Sequence, residues 1–226
     1  MGMCVEREYG VGNKLIEMTL FFTRFVLPTL TKIRMNTELI IHESKEFADF
    51  NYSECKLRNR EFYKCKFINC NFNKSDLREV YFEDCCFINS DLSMANVSDV
   101  GFRNVIFDGC KMLGVDFSVC SKFAASFAFN DCIMNYCCFI SLKLKRTVFK
   151  KCSLKEVDFS FSDLSAAVFD CCNLEIATFS NTLLEKADFR TSENVTLDLE
   201  ENKVKKARFS SVQLEGLLHK YQLDIS

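Results

Sequence analysis

Large apolar residues recur at every fifth position over most of this chain. From Leu57 the series runs Phe62, Phe67, Phe72, Leu77, Phe82, Phe87, Leu92, Val97, Phe102, Phe107, Met112 and Phe117. A second series runs from Met134 through Phe139, Leu144, Phe149, Leu154, Phe159, Leu164, Phe169, Leu174, Phe179 and Leu184 to Phe189. A period of five is neither that of an amphipathic helix nor that of an alternating strand. It requires a chain that turns a corner every five residues and sends one large side chain inward each time. Four corners close a square coil of about twenty residues, within the range of solenoid repeats. Such coils stack at the strand spacing of roughly 4.8 Å. The expected fold class is an all-β solenoid.

The position two before each apolar centre tests this independently, because crowding at a corner demands a slim inward side chain. The first series places Cys55, Cys65, Cys70, Ser75, Val80, Cys85, Ser90, Ala95, Val100, Val105, Cys110 and Val115 there. The second places Cys132, Cys137, Thr147, Cys152, Val157, Ser162, Ala167, Cys172, Ala177, Thr182 and Ala187, and only Arg60 and Leu142 depart from the rule. Nine of the fourteen cysteines occupy this slot, so they read as small packing residues rather than as a disulfide framework. With one Pro and seven Gly in 226 residues, the corners must turn without the usual turn residues.

Fragments such as Ser75-Asp76-Leu77, Ser90-Asp91-Leu92, Ser162-Asp163-Leu164 and Ala187-Asp188-Phe189 resemble the pentapeptide-repeat family, whose quintets read A(D/N)LXX. The resemblance covers residues from about 50 to 190. It implies a right-handed quadrilateral β-helix with centres twenty residues apart stacked in ladders, Phe62 on Phe82 on Phe102 and Phe149 on Phe169 on Phe189.

The departures from the pattern divide the chain. Residues 1–34 carry no repeat and read as an N-terminal extension, helical or disordered, or as sequence ahead of a start at Met35. The β-helix is expected over 35–212, with Ala48-Asp49-Phe50 as an early quintet. The register slips by two between Phe117 and Met134, so residues 118–130 must bulge or extrude a loop, which in solenoids often marks a binding face. If the first phase continued, Lys122 would point inward; if the second began early, Phe127 would fill a slim slot. Residues 190–206 form an irregular crossing before a last strand at Ala207-Arg208-Phe209. Residues 213–226 change period: Leu214, Leu217, Leu218 and Tyr221 follow helical spacing, and Leu223-Asp224-Ile225 ends the chain. This tail is expected to cap the last coil. Leu214, Leu217, Leu218, Tyr221, Leu223 and Ile225 are also the candidates for a two-fold homodimer contact.

No catalytic chemistry is legible. The two histidines, His42 and His219, lie in opposite end regions, and no C-x-x-C, Gly-rich phosphate loop or G-x-S-x-G occurs. No cofactor or metal is expected. Asp91, Asp116, Asp158, Asp163 and Asp188 recur one place before their centres, a repeat feature that belongs to turns. The apolar stretch from Leu15 to Leu30 is interrupted by Glu17, Arg24 and Pro28, so no membrane span is expected. With no secretory signal pattern either, the cysteine-rich chain reads as cytoplasmic.

The whole-chain plan is most similar to the Qnr-type quinolone-resistance proteins within that family. The resemblance implies a homodimer that binds DNA gyrase or topoisomerase IV as a partial DNA mimic and protects against quinolones. It implies partner contacts at Ser118, Lys122, Phe123, Ser126, Phe127 and Asn130. An acidic strip would draw on Glu83, Asp84, Asp91, Asp99, Asp108 and Asp116. Two basic stretches oppose full-length mimicry: Lys143, Lys145, Arg146, Lys150, Lys151 and Lys155, and Lys203, Lys205, Lys206 and Arg208. Direct nucleic-acid binding is not expected from them, since no exposed aromatics are interleaved. The alternative is a general scaffold with an unrelated protein partner.

Overall fold

The computed structural model describes residues 39–123 and 125–223. They form a four-sided parallel β-helix closed by a short helix. The first face carries β1 (Ile40–Glu43), β3 (Arg60–Tyr63), β5 (Tyr81–Glu83) and β7 (Gly101–Arg103) in one parallel sheet. The second face is a seven-stranded parallel sheet, continued past its last strand by the single bridges of Asp188 to Val168 and Arg208. Its strands are β2 (Glu46–Ala48), β4 (Lys66–Ile68), β6 (Cys86–Ile88), β8 (Val105–Asp108), β9 (Phe127–Asn130), β10 (Val148–Lys150) and β11 (Val168–Asp170). The third and fourth faces pair through single bridges, such as Asn71 to Asp91 and Asp76 to Asn96. The extension proposed for residues 1–34 lies outside the described residues.

One column organises the core. Phe47, Phe67, Phe87, Phe107, Phe129, Phe149, Phe169, Phe189 and Phe209 stack behind the second face, with consecutive centroids 4.7 to 5.4 Å apart and planes within 17°. Each buried ring contributes about 1.5–3 kcal/mol by burial, and each ring pair adds about 0.5–1.5 kcal/mol. A second stack meets this column edge-on and changes face midway. It runs His42, Phe62, Phe82, Phe102 behind the first face, then Phe117, Phe139, Phe159, Phe179 behind the fourth. Leu144, Leu164 and Leu184 then line the first face, as Leu57, Leu77 and Val97 line the fourth earlier.

The corners explain the scarcity of Gly and Pro. Except at Val119, which lies in a 3-10 turn after Phe117, the residue two after each centre adopts a left-handed conformation, from Ser44 at φ 53° through Asp84, Asn104 and Asp131 to Lys186 at φ 61°. Asn and Asp tolerate that region best among L-residues. Ile176 is the poorest occupant, a β-branched side chain held at φ 59° and well exposed. Replacing it with asparagine should stabilise the solenoid by about 1 kcal/mol, read as a higher denaturation midpoint at unchanged slope.

The slim slots do more than fit. Their thiols and hydroxyls donate to carbonyls of centre residues in the coil before. Cys85 Sγ reaches Phe62 O at 3.3 Å, Cys110 Sγ reaches Phe87 O at 3.3 Å, Ser90 Oγ reaches Phe67 O at 3.2 Å and Thr182 Oγ1 reaches Phe159 O at 3.1 Å. The adjacent cysteines split, Cys85, Cys137 and Cys172 buried, Cys86 and Cys138 half-buried, Cys171 exposed. The recurring Asp or Asn before each centre on the bridged faces accepts the N–H two residues on. Asp91 holds Ser93 N at 2.8 Å and Asp158 holds Ser160 N at 2.8 Å.

Two expectations from the sequence need correction. The first phase reaches back through Tyr52 and Phe47 to His42, so Ala48-Asp49-Phe50 is not a quintet; Phe47 is the centre and Phe50 fills a corner slot. Ala207-Arg208-Phe209 is not a strand, since Arg208 makes only a bridge to Asp188, although Phe209 still stacks on Phe189 at 5.2 Å.

Candidate protein-interaction surfaces

The register slip is confined to a few residues. Val105 pairs with Phe127, Phe107 with Phe129, and Ser121 N bonds Val100 O. Four residues, 101–104, therefore face six, 121–126, and the two extra are taken up there. Phe129 follows Phe107 by twenty-two positions and keeps the long column unbroken. Residues 127–130 are thus a strand in full register, not part of a loop.

This geometry sorts the predicted contact residues. Phe127 is 7% exposed and packs on Phe102, Phe117 and Phe129 at 5.5 to 5.7 Å, filling the core where the second aromatic stack changes face. It is a core residue and cannot touch a partner. Lys122 is exposed rather than inward. Phe123 is 88% exposed, the most exposed of the large apolar side chains described. Ser118 is turned onto Asp116, which accepts from its N at 2.9 Å and its Oγ at 2.5 Å. Ser126 Oγ accepts from Asn104 N at 2.7 Å, and Asn130 Nδ2 donates to Asp108 at 2.6 Å. These three brace the break, and Lys122 and Phe123 remain free at its tip.

The acidic candidates do not converge. Glu83 lies on the first face, bonded by Tyr81 OH at 2.9 Å and paired with Arg103 at 3.2 Å. Asp84 turns the next corner and accepts from Asn104 at 2.7 Å. Asp108 is on the second face, Asp91 on the third near Lys111 at 3.9 Å, and Asp99 at the corner after the fourth. Spread over every side and partly neutralised, they form no strip like a duplex backbone.

The cap docks through the irregular segment, a role the sequence did not reveal. α1 (Leu214–Leu218) follows a single 3-10 turn at Ser211–Gln213. Buried Gln213 donates to Phe189 O at 2.8 Å and Ser192 O at 2.6 Å, sealing carbonyls of the last coil. Val195 and Leu197 turn inward beneath, and Leu217, 6% exposed, joins the core. Leu217 therefore serves the cap and is unavailable to a dimer. Leu218 is half-buried, Leu214, Tyr221 and Leu223 are exposed, and Ile225 lies outside the described residues. Val212, 86% exposed, belongs to the same apolar end but falls outside the helical spacing that singled out the others.

Lys220 clamps this cap. Its Nζ lies 2.8 Å from Asp198 Oδ1 and 2.8 Å from Glu200 Oε2. The ammonium holds both carboxyls below their usual range, and they raise the Lys220 amine in turn. A depressed carboxyl stabilises the fold above its unfolded pKa and loses that stabilisation as pH falls through its folded pKa; the raised amine contributes below its unfolded pKa. The clamp therefore holds at neutral pH and opens on acidification below the ordinary carboxylate range. Protection of the amides in residues 214–221, relative to their intrinsic exchange rates, should fall there in the wild type but be low already at neutral pH in Asp198→Asn.

Burial pushes the Cys85 and Cys137 thiols up to about 12, the opposite of an activated nucleophile. Among the described residues no cluster of three His, Cys, Asp or Glu is arranged to hold a metal ion, and no helix is long and apolar enough to cross a membrane.

A family model of pentapeptide repeats matches residues 53–93 and 132–170 in eight copies. No curated protein sequence matches the chain. Among solved structures, a trypsin-treated variant of QnrB1, a plasmid-mediated fluoroquinolone resistance protein, is 20% identical over 82% of this chain and 91% of its own, with a TM-score of 0.45. HetL, a pentapeptide-repeat protein of heterocyst differentiation regulation from the cyanobacterium Nostoc, is 13% identical over 76% of this chain and 88% of its own, with a TM-score of 0.26.

Proposed function

We infer from the pentapeptide repeats matched over residues 53–93 and 132–170 a non-catalytic binding protein that engages a partner at the register break and pairs with a second copy through its capped end. The observation that carries this is Phe123. An 88% exposed aromatic ring at the tip of a braced two-residue insertion has no role in the core, and such rings are enriched at binding hot spots. The exposed apolar set at the cap, Val212, Leu214, Tyr221 and Leu223, supports the two-fold contact.

The partner we propose is the type II topoisomerase, DNA gyrase or topoisomerase IV, carried over from the resemblance of the chain plan to the Qnr-type proteins. The protein would act in the cytoplasm and protect the enzyme against quinolones. Because the acidic residues are dispersed, recognition rests on the loop tip rather than on imitation of a duplex. Immobilised gyrase subunits should bind the wild type and lose about tenfold or more in affinity for Phe123→Ala, a variant that melts like the wild type. Absence of binding by the wild type would reject the topoisomerase and leave a scaffold for another protein.

A further inference from the structure

The first face changes electrostatic character along its length. In the early coils it holds four acidic residues, Glu43, Glu61, Glu83 and Asp84, against Arg60, Lys64 and Arg103. In the late coils the same face holds seven basic residues against two acidic ones, a net of +5 on a chain whose total is −2. The bridges Lys143 to Asp163, Asp163 to Leu183 and Leu183 to Lys203 place these coils in strict register.

The basic residues are grouped into two rungs. One is Lys143, Lys145 and Arg146; the other is Lys203, Lys205 and Lys206, three coils later and so about 14 Å away. Between them Ser165 and Ala166 form a half-buried floor, and Lys145, Arg146, Glu185 and Lys186 complete a depression of about 430 Å³. The depression thus has a cationic rim at Lys145 and Arg146 and a mixed rim at the exposed Glu185 and Lys186, with the Lys203 rung one coil behind the second rim. Lys145 is paired with Asp163 at 3.1 Å, while Arg146, Lys186 and the Lys203 rung have no carboxylate partner among the described residues.

We propose that this depression docks an acidic helix of a protein partner, laid across the solenoid over Ser165 and Ala166. A helix with its side chains is about 10–12 Å across, so over Ser165 and Ala166 it reaches Lys145 and Arg146 on one flank and Lys186 on the other. Its carboxylates meet cations on both flanks, and the small floor residues let it approach closely. A long duplex fits less well. Its charge continues beyond the patch, and along the face it meets Glu43, Glu61 and Glu83. The floor amides are also committed, Ala166 N to Glu185 O at 2.8 Å, so no backbone donors await a phosphate.

The test measures anisotropy of a labelled, helical glutamate-rich peptide and of a short DNA duplex with the full-length protein at low and physiological salt. The peptide should bind the wild type, more weakly as salt rises. Lys203→Glu/Lys205→Glu/Lys206→Glu should lose about tenfold or more. Arg146→Glu/Lys186→Glu, one residue from each side of the depression, should lose as much. Lys56→Glu/Lys66→Glu/Lys74→Glu matches the first variant in charge but spreads it over other faces, and should bind nearly as the wild type does. Equal losses in the scattered control, tighter binding of the duplex, or no peptide binding at low salt would each overturn the proposal. The readout is independent of any topoisomerase.

Discussion

Phe129→Ala is expected to lower the unfolding free energy by about 4 kcal/mol, seen as a large drop in denaturant midpoint. Phe129 is fully buried, stacked between Phe107 at 5.4 Å and Phe149 at 5.2 Å, and flanked by Phe117, Phe127 and Phe139. Close-packed rings on all sides cannot collapse into the vacated space, so transfer and cavity costs add. The site is also where the two phases of the repeat are joined. Phe123→Ala, six residues away but exposed, should change stability by less than about 0.5 kcal/mol. A Phe129→Ala protein as stable as the wild type would mean that the column is not continuous through the break.

Much of this architecture is written in the five-residue period, because each centre faces the same steric test at the same corner. Phe62, Phe82 and Phe102 announce their stack by spacing alone. Two things hid the continuity at Phe129. It precedes the clear second series by one quintet, and bulky Phe127 holds the slot where a slim residue marks the phase. The left-handed corners were legible in Asn69, Asp84, Asn89, Asp99 and Asn104, yet masked by Met94, Phe161 and Ile176 at equivalent places. The surface was harder to read, since the contacts that brace Ser118 and Asn130 depend on which coils are neighbours. Likewise, Lys143, Lys145 and Arg146 share one face with Lys203, Lys205 and Lys206 only because sixty residues make three whole coils.

Gly216→Ala should unseat the cap at a cost of about 2–3 kcal/mol. A Cβ there would lie 2.0 Å from Val195 O, a backbone atom that cannot swing aside. The helix must instead lift from the segment it docks on, breaking the Gln213 bonds to Phe189 and Ser192 and drawing Leu217 out of the core. Exchange protection should fall across residues 189–217, while the coils before Phe149 stay protected, because repeats in a solenoid contact only their neighbours. Uniform loss along the whole chain would show instead that the cap holds the entire stack. The same variant should weaken the proposed pairing of two copies, since Val212, Leu214 and Tyr221 are exposed on the docked cap.

The regular coils thus account for a stable scaffold, and the irregular parts supply what a partner would recognise. The most direct measurement is gyrase supercoiling inhibited by ciprofloxacin, with the purified protein titrated to micromolar concentration. The account predicts that the wild type restores supercoiling and that Phe123→Ala, equally folded, does not. No restoration by the wild type, or equal restoration by Phe123→Ala, would contradict it.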